Sequence, residues 1–223
     1  MSCLPMITIL IPIYHGVEDY ETCITSVITQ DYDGFQIIVG VNGHIPDSKV
    51  YKDVVEISER ICKDVTDIQI LDLGHIKGKT PTLNRMIMYA KHDWVAVLRV
   101  TDYWLPGKLS CQLPYMHAYD IIGTKCRYFG DITGNSNIPV GDVSNFNFYK
   151  YNPIIISSYL IKIEDAYWEE AIRGDYSLMI RLKEDNKKFF NVDKCMVMRK
   201  INKNTCSGIS EYRSYIMNKN SFR

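Results

Sequence analysis

Four short stretches stand where an apolar run gives way to a helical pattern and a fifth opens a helical pattern late in the chain, and each carries side chains able to bind an anion or move a proton. They are Pro12-Ile13-Tyr14-His15, Asn42-Gly43-His44, Gly74 through Thr80, Arg99 through Asp102, and Asp175 after Gly174. A carboxylate at 102 or 175 can take up a proton or face a cation, and the Asn42 amide can both accept and donate. Lys79 and Arg99 can neutralise phosphate, the arginine as a planar fork. Each also has an ordinary structural use. Asn42-Gly43 suits a turn, Asp102 and Asp175 suit helix starts, and Lys79 suits a solvated loop.

The stretch Gly74-His75-Ile76-Lys77-Gly78-Lys79-Thr80 invites comparison with a phosphate-binding loop, because it follows a strand and precedes a helix. The spacing disagrees. That loop needs four residues between its glycines so that successive N–H groups converge on the phosphates. Here three intervene, Leu73 stands where the first glycine belongs, and Pro81 follows at once. A nucleoside-triphosphatase of this type is therefore a minor alternative.

The elements that must position these residues come from hydrophobic periodicity. Apolar runs predict strands at 7–13, 36–41, 68–73 and 94–100, and helical stripes predict helices at 20–29, 48–63 and 80–90. Strands apolar on both faces that alternate with helices imply a mainly parallel, Rossmann-like α/β sheet flanked by helices. Ligands of such sheets bind at the carboxyl ends of the strands, where the polar stretches stand. The second half reads as a helix at 108–118, strands at 119–124, 154–163 and 189–199, and a helix at 175–186. Residues 130–152, rich in Gly, Asn, Asp and Ser, read as a long irregular stretch, and long loops of this kind often serve function.

The chain of 223 residues is long enough for one domain with its own core, at 46% apolar and 23% charged residues. Lys plus Arg and Asp plus Glu both number 26, and the pI is near 6.9. That balance speaks against a nucleic-acid surface, which is usually basic, and leaves room for one small basic pocket. Seven scattered cysteines without a CxxC, and five dispersed histidines, argue against a zinc site or a disulfide framework. No apolar stretch is long enough to cross a bilayer and no leader pattern opens the chain, so a cytoplasmic protein is expected.

Taken in order, the stretches resemble the motifs of the family 2 glycosyltransferases, inverting enzymes of the GT-A fold. Ile9 through Tyr14 is similar to their first strand and its "IPxYN" end, with His15 for the asparagine. Ser26 through Tyr32 resembles "SxxxQxY", and Gly78 through Asn84 resembles "GxxxALN". Leu98 through Leu109 is similar to "LDADDxWxPxKL", and Asp175 through Leu182 to "EDYxLxxRL". Arg199 and Ser207 echo a terminal arginine–serine element. The resemblance runs from about residue 7 to residue 207. It implies a single GT-A domain over 1–223, with a nucleotide-sugar half at about 1–107, an acceptor and catalytic half at about 108–200, and a polar tail at 201–223.

The resemblance also implies chemistry. Such enzymes move a sugar from a nucleotide diphosphate donor, here a UDP-sugar ahead of a GDP-sugar, to an acceptor hydroxyl with inversion. Asp175 falls at the position of the family's general base, with Gly174 in place of the usual glutamate. Pro12, Tyr14, Asn42, Gly78, Lys79, Arg99, Thr101 and Asp102 fall on the donor side. The family's DxD is degenerate: Arg99 and Thr101 replace its acids, and Asp102 alone remains as a candidate ligand for Mn²⁺ or Mg²⁺. Either Asp102 is that residual ligand, or Arg99 partly substitutes for the ion. Trp168 and Arg181 are acceptor-side candidates, Trp104 is expected in the core, and Tyr128, Tyr149 and Tyr151 flank the 130–152 stretch. The expected partners are a nucleotide-sugar donor and a glycan or other hydroxyl acceptor, with neither nucleic acid nor an integral membrane segment. The thinned acids leave a second class open, a catalytically silent GT-A module that binds a nucleotide or glycan.

Overall fold

The computed structural model describes residues 5–169 and 174–202. The tail from 203 onward, with Ser207 and Cys206, lies outside the described residues.

The first half follows the periodicity closely. Strand β1 (Ile7–Ile13), helix α1 (Tyr20–Ile28), strand β2 (Phe35–Asn42), helix α2 (Lys49–Ile61), strand β3 (Ile68–Leu73), helix α3 (Lys79–Ile87) and strand β4 (Trp94–Val97) succeed one another. Side chains alternate across a strand, and β1 divides accordingly. Ile7, Ile9, Ile11 and Ile13 pack with Tyr20, Cys23 and Val54 of α1 and α2, whereas Leu10 packs with Leu83 and Met86 of α3. Near-complete burial of both faces explains why β1, β2 and β4 read as apolar runs, whereas β3, at the end of the sheet path, is only partly buried.

The second half departs from the expected boundaries. The helix predicted at 108–118 stops early: α4 spans Lys108–Gln112, and Pro114 turns the rest into a 3-10 turn. The short strand β5 (Tyr103–Trp104) comes before α4. Strand β6 runs from Ile121 to Gly130, and two-residue strands β7 (Gly134–Asn135) and β8 (Gly141–Asp142) interrupt the irregular stretch. The strand expected at 154–163 is a 3-10 turn at Ile156–Ser158 followed by β9 (Leu160–Lys162). Helix α5 (Gly174–Glu184) and strand β10 (Phe189–Ile201) complete the described chain.

The main path of the sheet runs β3-β2-β1-β4-β9-β6-β10-β5. Its longest ladders, β1 with β2, β2 with β3 and β6 with β10, are parallel, and β9 is antiparallel to both neighbours. Successive strands step outward from β1 to β3, and then β4 returns to the other side of β1. That reversal opens a crevice at the carboxyl ends of β1 and β4, the place where such sheets bind ligands.

Candidate active site

The first wall of the crevice is built where β1 and β2 end. Ile13 stands opposite Val41, so Tyr14 follows β1 beside Asn42, the last residue of β2. Gly43 takes a φ of 73°, and a β-carbon there would lie 2.4 Å from the Tyr14 ring. Only glycine permits both the turn and the ring above it. His44 Nε2 lies 2.6 Å from the Tyr14 carbonyl oxygen, which can only accept, so that nitrogen carries the proton. The rings of His15 and His44 sit 4.0 and 5.5 Å from that of Tyr14, whose residue remains half exposed. The result is an open aromatic surface beside a buried amide.

Asn42 is buried, and its side-chain N–H donates to the Ile76 carbonyl at 3.4 Å. This ties β2 to the loop before α3. Asp72, which no sequence motif singled out, holds the other side of that loop. It accepts from the N–H groups of Asp47 at 2.7 Å and Gly74 at 3.1 Å.

The second wall joins two helix starts 96 residues apart. Gly78 enters α3 with a φ of 95°, and Lys79 is the helix's first residue. Asp175 is the second residue of α5, and its Oδ2 holds the Lys79 ammonium in an ion pair. Asp175 Oδ1 is buried without a hydrogen-bond partner. Gly174 makes this approach feasible, since a β-carbon there would come within 2.7 Å of Thr80 Oγ1. Behind the pair lies Tyr159, fully buried. Burial, and then the Asp175 charge, push its hydroxyl well above the ordinary tyrosine range.

The turn after β4 differs from expectation. A strand was predicted through Val100, which would place residues 99 and 101 on one face. The strand ends at Val97, and the Asp102 N–H donates to the Arg99 carbonyl at 2.9 Å, closing a turn. Asp102 points inward: Oδ2 accepts from Ser157 Oγ at 2.5 Å and Oδ1 from the Lys200 N–H at 3.0 Å. Arg99 Nε lies 4.0 Å from Oδ2, with the arginine side chain 22% exposed and that of Asp102 not at all. The Thr101 hydroxyl is buried without a partner.

This donor set does not fit a divalent ion, which takes several accessible oxygens. Both Asp102 oxygens already serve the protein, and Arg99 and Thr101 bring no anionic oxygen. Among the described residues, no group of three or more His, Cys, Asp or Glu side chains is arranged to hold a metal. Ser157 is the residue sequence reasoning missed here. It bonds Asp102, accepts from the Arg99 N–H at 3.3 Å and, through its carbonyl, from Trp104 Nε1 at 2.8 Å. Its signal was a serine pair, Ser157-Ser158, interrupting an apolar run.

Two acceptor-side candidates belong to the framework instead. Trp168 is fully buried in the core beneath α3 and α5, where no sugar can reach its ring. Asn84 of the "GxxxALN" stretch holds both polar groups of the Trp168 backbone, at 3.0 Å to the N–H and 2.7 Å to the carbonyl. Arg181 donates to the carbonyls of Asp165 and Tyr167 at 3.0 and 2.9 Å, bracing the segment that leads toward α5. Ser26 and Gln30 are braces as well, clamping α1 to the Trp104, Leu105 and Leu109 backbone. Trp104 is in the core, as expected. Tyr128 and Tyr151 are buried, and Tyr149 is exposed with its hydroxyl on Glu184.

Comparison with known proteins speaks to the family and the fold. The family model "Glycosyl transferase family 2" matches residues 8–204. A curated relative is the Escherichia coli UDP-Glc:alpha-D-GlcNAc-diphosphoundecaprenol beta-1,3-glucosyltransferase WfaP, 20% identical over 186 residues, 80% of this chain and 70% of the relative. The similarly described WfgD of the same organism is 26% identical over 111 residues, 50% of this chain and 41% of that protein. Among solved structures, S. aureus TarS 1-349 in complex with UDP-GlcNAc superposes with a TM-score of 0.68 at 16% identity, covering 90% of this chain. The mannosyltransferase PcManGT of Pyrobaculum calidifontis, in complex with GDP-Man and Mn²⁺, superposes with a TM-score of 0.70 at 11% identity, covering 97% of this chain. This chain covers 60% and 64% of those two solved chains. The fold is GT-A, a mainly parallel curled sheet flanked by helices. From residue 8 to residue 204 the chain belongs to glycosyl transferase family 2.

Proposed function

We propose that the protein transfers a sugar from a nucleoside diphosphate sugar to an acceptor hydroxyl with inversion, and that Asp175 is its general base. The observation that carries the reading is the meeting of Asp175 and Lys79, a carboxylate and a cation brought to one crevice edge by two helix starts. Both relatives named above are described with UDP-Glc and the TarS complex holds UDP-GlcNAc, which favours a uridine donor; the GDP-Man of PcManGT keeps a guanosine donor as the second choice.

The chemistry is one in-line displacement. The acceptor oxygen bonds the anomeric carbon as Asp175 takes its proton, and the bond to the diphosphate oxygen breaks, releasing the nucleoside diphosphate. A hydroxyl is too weak a nucleophile without such a base within hydrogen-bond reach. Negative charge grows on the departing diphosphate, and Lys79 with Arg99 supplies fixed positive charge toward it. Tyr14 offers a ring for the base to stack on, and the Asn42 oxygen accepts an N–H from the base edge while its amide stays on Ile76. Asp102 then shapes the Arg99 turn from within and takes no part as a ligand. Pro12, Gly78 and Thr101 complete the donor side as backbone and lining.

Thermal shift with UDP, GDP and ATP, followed by a hydrolysis screen of nucleotide sugars, tests the reading without knowledge of the acceptor. Stabilisation by UDP or GDP and donor turnover lost in Asp175→Ala support it. Intact turnover in that variant overturns the base assignment, and stabilisation by ATP alone revives the phosphate-loop alternative. The missing acids at 99 and 101 favour a second reading, a silent nucleotide-binding module. It predicts UDP or GDP binding with no turnover of any donor.

A further inference from the structure

The Lys79–Asp175 pair leaves the carboxylate closed to an acceptor. Oδ2 carries the ammonium and Oδ1 is buried without a partner. The Asp175 side chain is 9% exposed, whereas that of Lys79 is 40% exposed. While the pair stands, the ammonium competes with an incoming hydroxyl for Oδ2, and Oδ1 is buried. Lys79 has the freedom to leave, because its side chain is 40% exposed and, among the described residues, this aspartate is the partner that holds its ammonium.

What would draw it away is a stronger anion at the start of α3. Lys79 is the first residue of a nine-residue helix whose amino end carries no side-chain cap. Unpaired N–H groups and the helix dipole favour negative charge there. A diphosphate brings more charge to that point than one carboxylate does.

We propose that Lys79 is a donor-operated latch on Asp175. It is paired with the carboxylate before the donor arrives, moves to the diphosphate when the donor binds, and so opens the base only in the donor complex. The latch rests on the glycosyltransfer reading above and names the contact that keeps the base closed until a diphosphate takes Lys79 away.

The test is a double-mutant cycle on nucleotide affinity, by calorimetry with UDP and with GDP. Asp175→Asn keeps the shape and removes the charge, which frees Lys79 in advance; its affinity should be about three- to fivefold tighter than wild type, the scale of one partly exposed ion pair. Lys79→Met should bind more weakly. In the Lys79→Met background, Asp175→Asn should change affinity by less than about twofold, since no latch remains to release. Equal tightening in both backgrounds overturns the latch, because simple removal of negative charge then explains it. No tightening in Asp175→Asn overturns it as well. Lys79→Gln repeats the arm if thermal melting shows that Lys79→Met does not fold. Should neither UDP nor GDP bind the wild type or Asp175→Asn, the donor-site reading itself fails, an outcome separate from binding with an uncoupled cycle.

Discussion

A β-carbon on Gly174 would stand 2.7 Å from Thr80 Oγ1, so the first turns of α5 and α3 meet through a residue that has no side chain. The motif this stretch resembles opens with glutamate, and glycine in that place lets the two helix starts approach. Gly174→Val is expected to lose about 1–3 kcal/mol by overpacking. Thr80→Ala in the same chain should restore part of the loss, because it removes the atom in the way. Urea denaturation of the single and double variants measures both; an unchanged Gly174→Val midpoint refutes the contact.

Asn84 is a brace with two ends. Losing its side chain leaves the Trp168 N–H and carbonyl without their partners, and an unsatisfied buried group costs about 1–3 kcal/mol. Asn84→Ala should therefore melt several degrees lower. Nucleotide affinity should fall less than stability, since Asn84 faces the framework. A variant that keeps its melting temperature and loses UDP binding would reverse that assignment.

The donor-side charges make two separable statements. Asp102→Asn cannot accept from both Ser157 and the Lys200 N–H in the same way, and should cost about 2–4 kcal/mol of stability. Arg99→Ala should lower donor kcat/KM by about 10- to 100-fold, as loss of one charged contact to a leaving group does, and should also cost some stability, because it takes a cation from beside the buried Asp102 carboxylate. Wild-type turnover should persist in excess EDTA. Turnover that falls to background in EDTA and returns with Mn²⁺ would sink the proposal that cationic side chains hold the diphosphate.

Lys108 supplies a pH signature. It is fully buried, donates to Gln112 Oε1 at 2.7 Å and lies 4.0 Å over the Trp104 ring, yet burial pushes its pKa down to about 7 from 10.5. Above that value the unfolded chain holds one more proton than the folded chain, so Lys108 makes stability rise with pH, by at most about 1.4 kcal/mol per unit. Burial raises the thiols of Cys23 and Cys126, which work in the opposite direction once unfolded thiols ionise, above about pH 8.5. The comparison is cleanest between about pH 7 and 8.5, where wild type should gain roughly 1–2 kcal/mol relative to Lys108→Met. Parallel pH profiles for the two proteins would show that Lys108 stays charged in the fold.

Much of the first half was legible because its signals are local. Continuous apolar runs marked β1 to β3, helical stripes marked α1 to α3, and Asn42-Gly43 marked the end of β2. The boundaries that failed also have local causes that periodicity does not weigh. Pro114 shortened α4, and the serine pair at 157 and 158 bent what looked like one strand into a turn and β9. At β4 the apolar run continued to Val100 while the hydrogen bonds stopped, so Arg99 and Thr101 came to lie in a turn.

The motif residues divided in a way no spacing could show. Gln30, Asn84, Asp102, Trp168 and Arg181 are turned toward the framework. Tyr14 and Lys79 reach open space, and Asp175 stands at its edge in the grip of Lys79. The sequence by itself determined the parallel α/β order and the crevice at its strand ends, because periodicity and turn chemistry act between near neighbours. Only the tertiary structure decided which polar side chains are already committed, since their partners are remote in the chain: Asn84 meets Trp168 across 84 residues, Lys79 meets Asp175 across 96, and Asp102 meets Lys200 across 98. A buried polar group must be satisfied wherever the fold brings it, and that partner is set by packing.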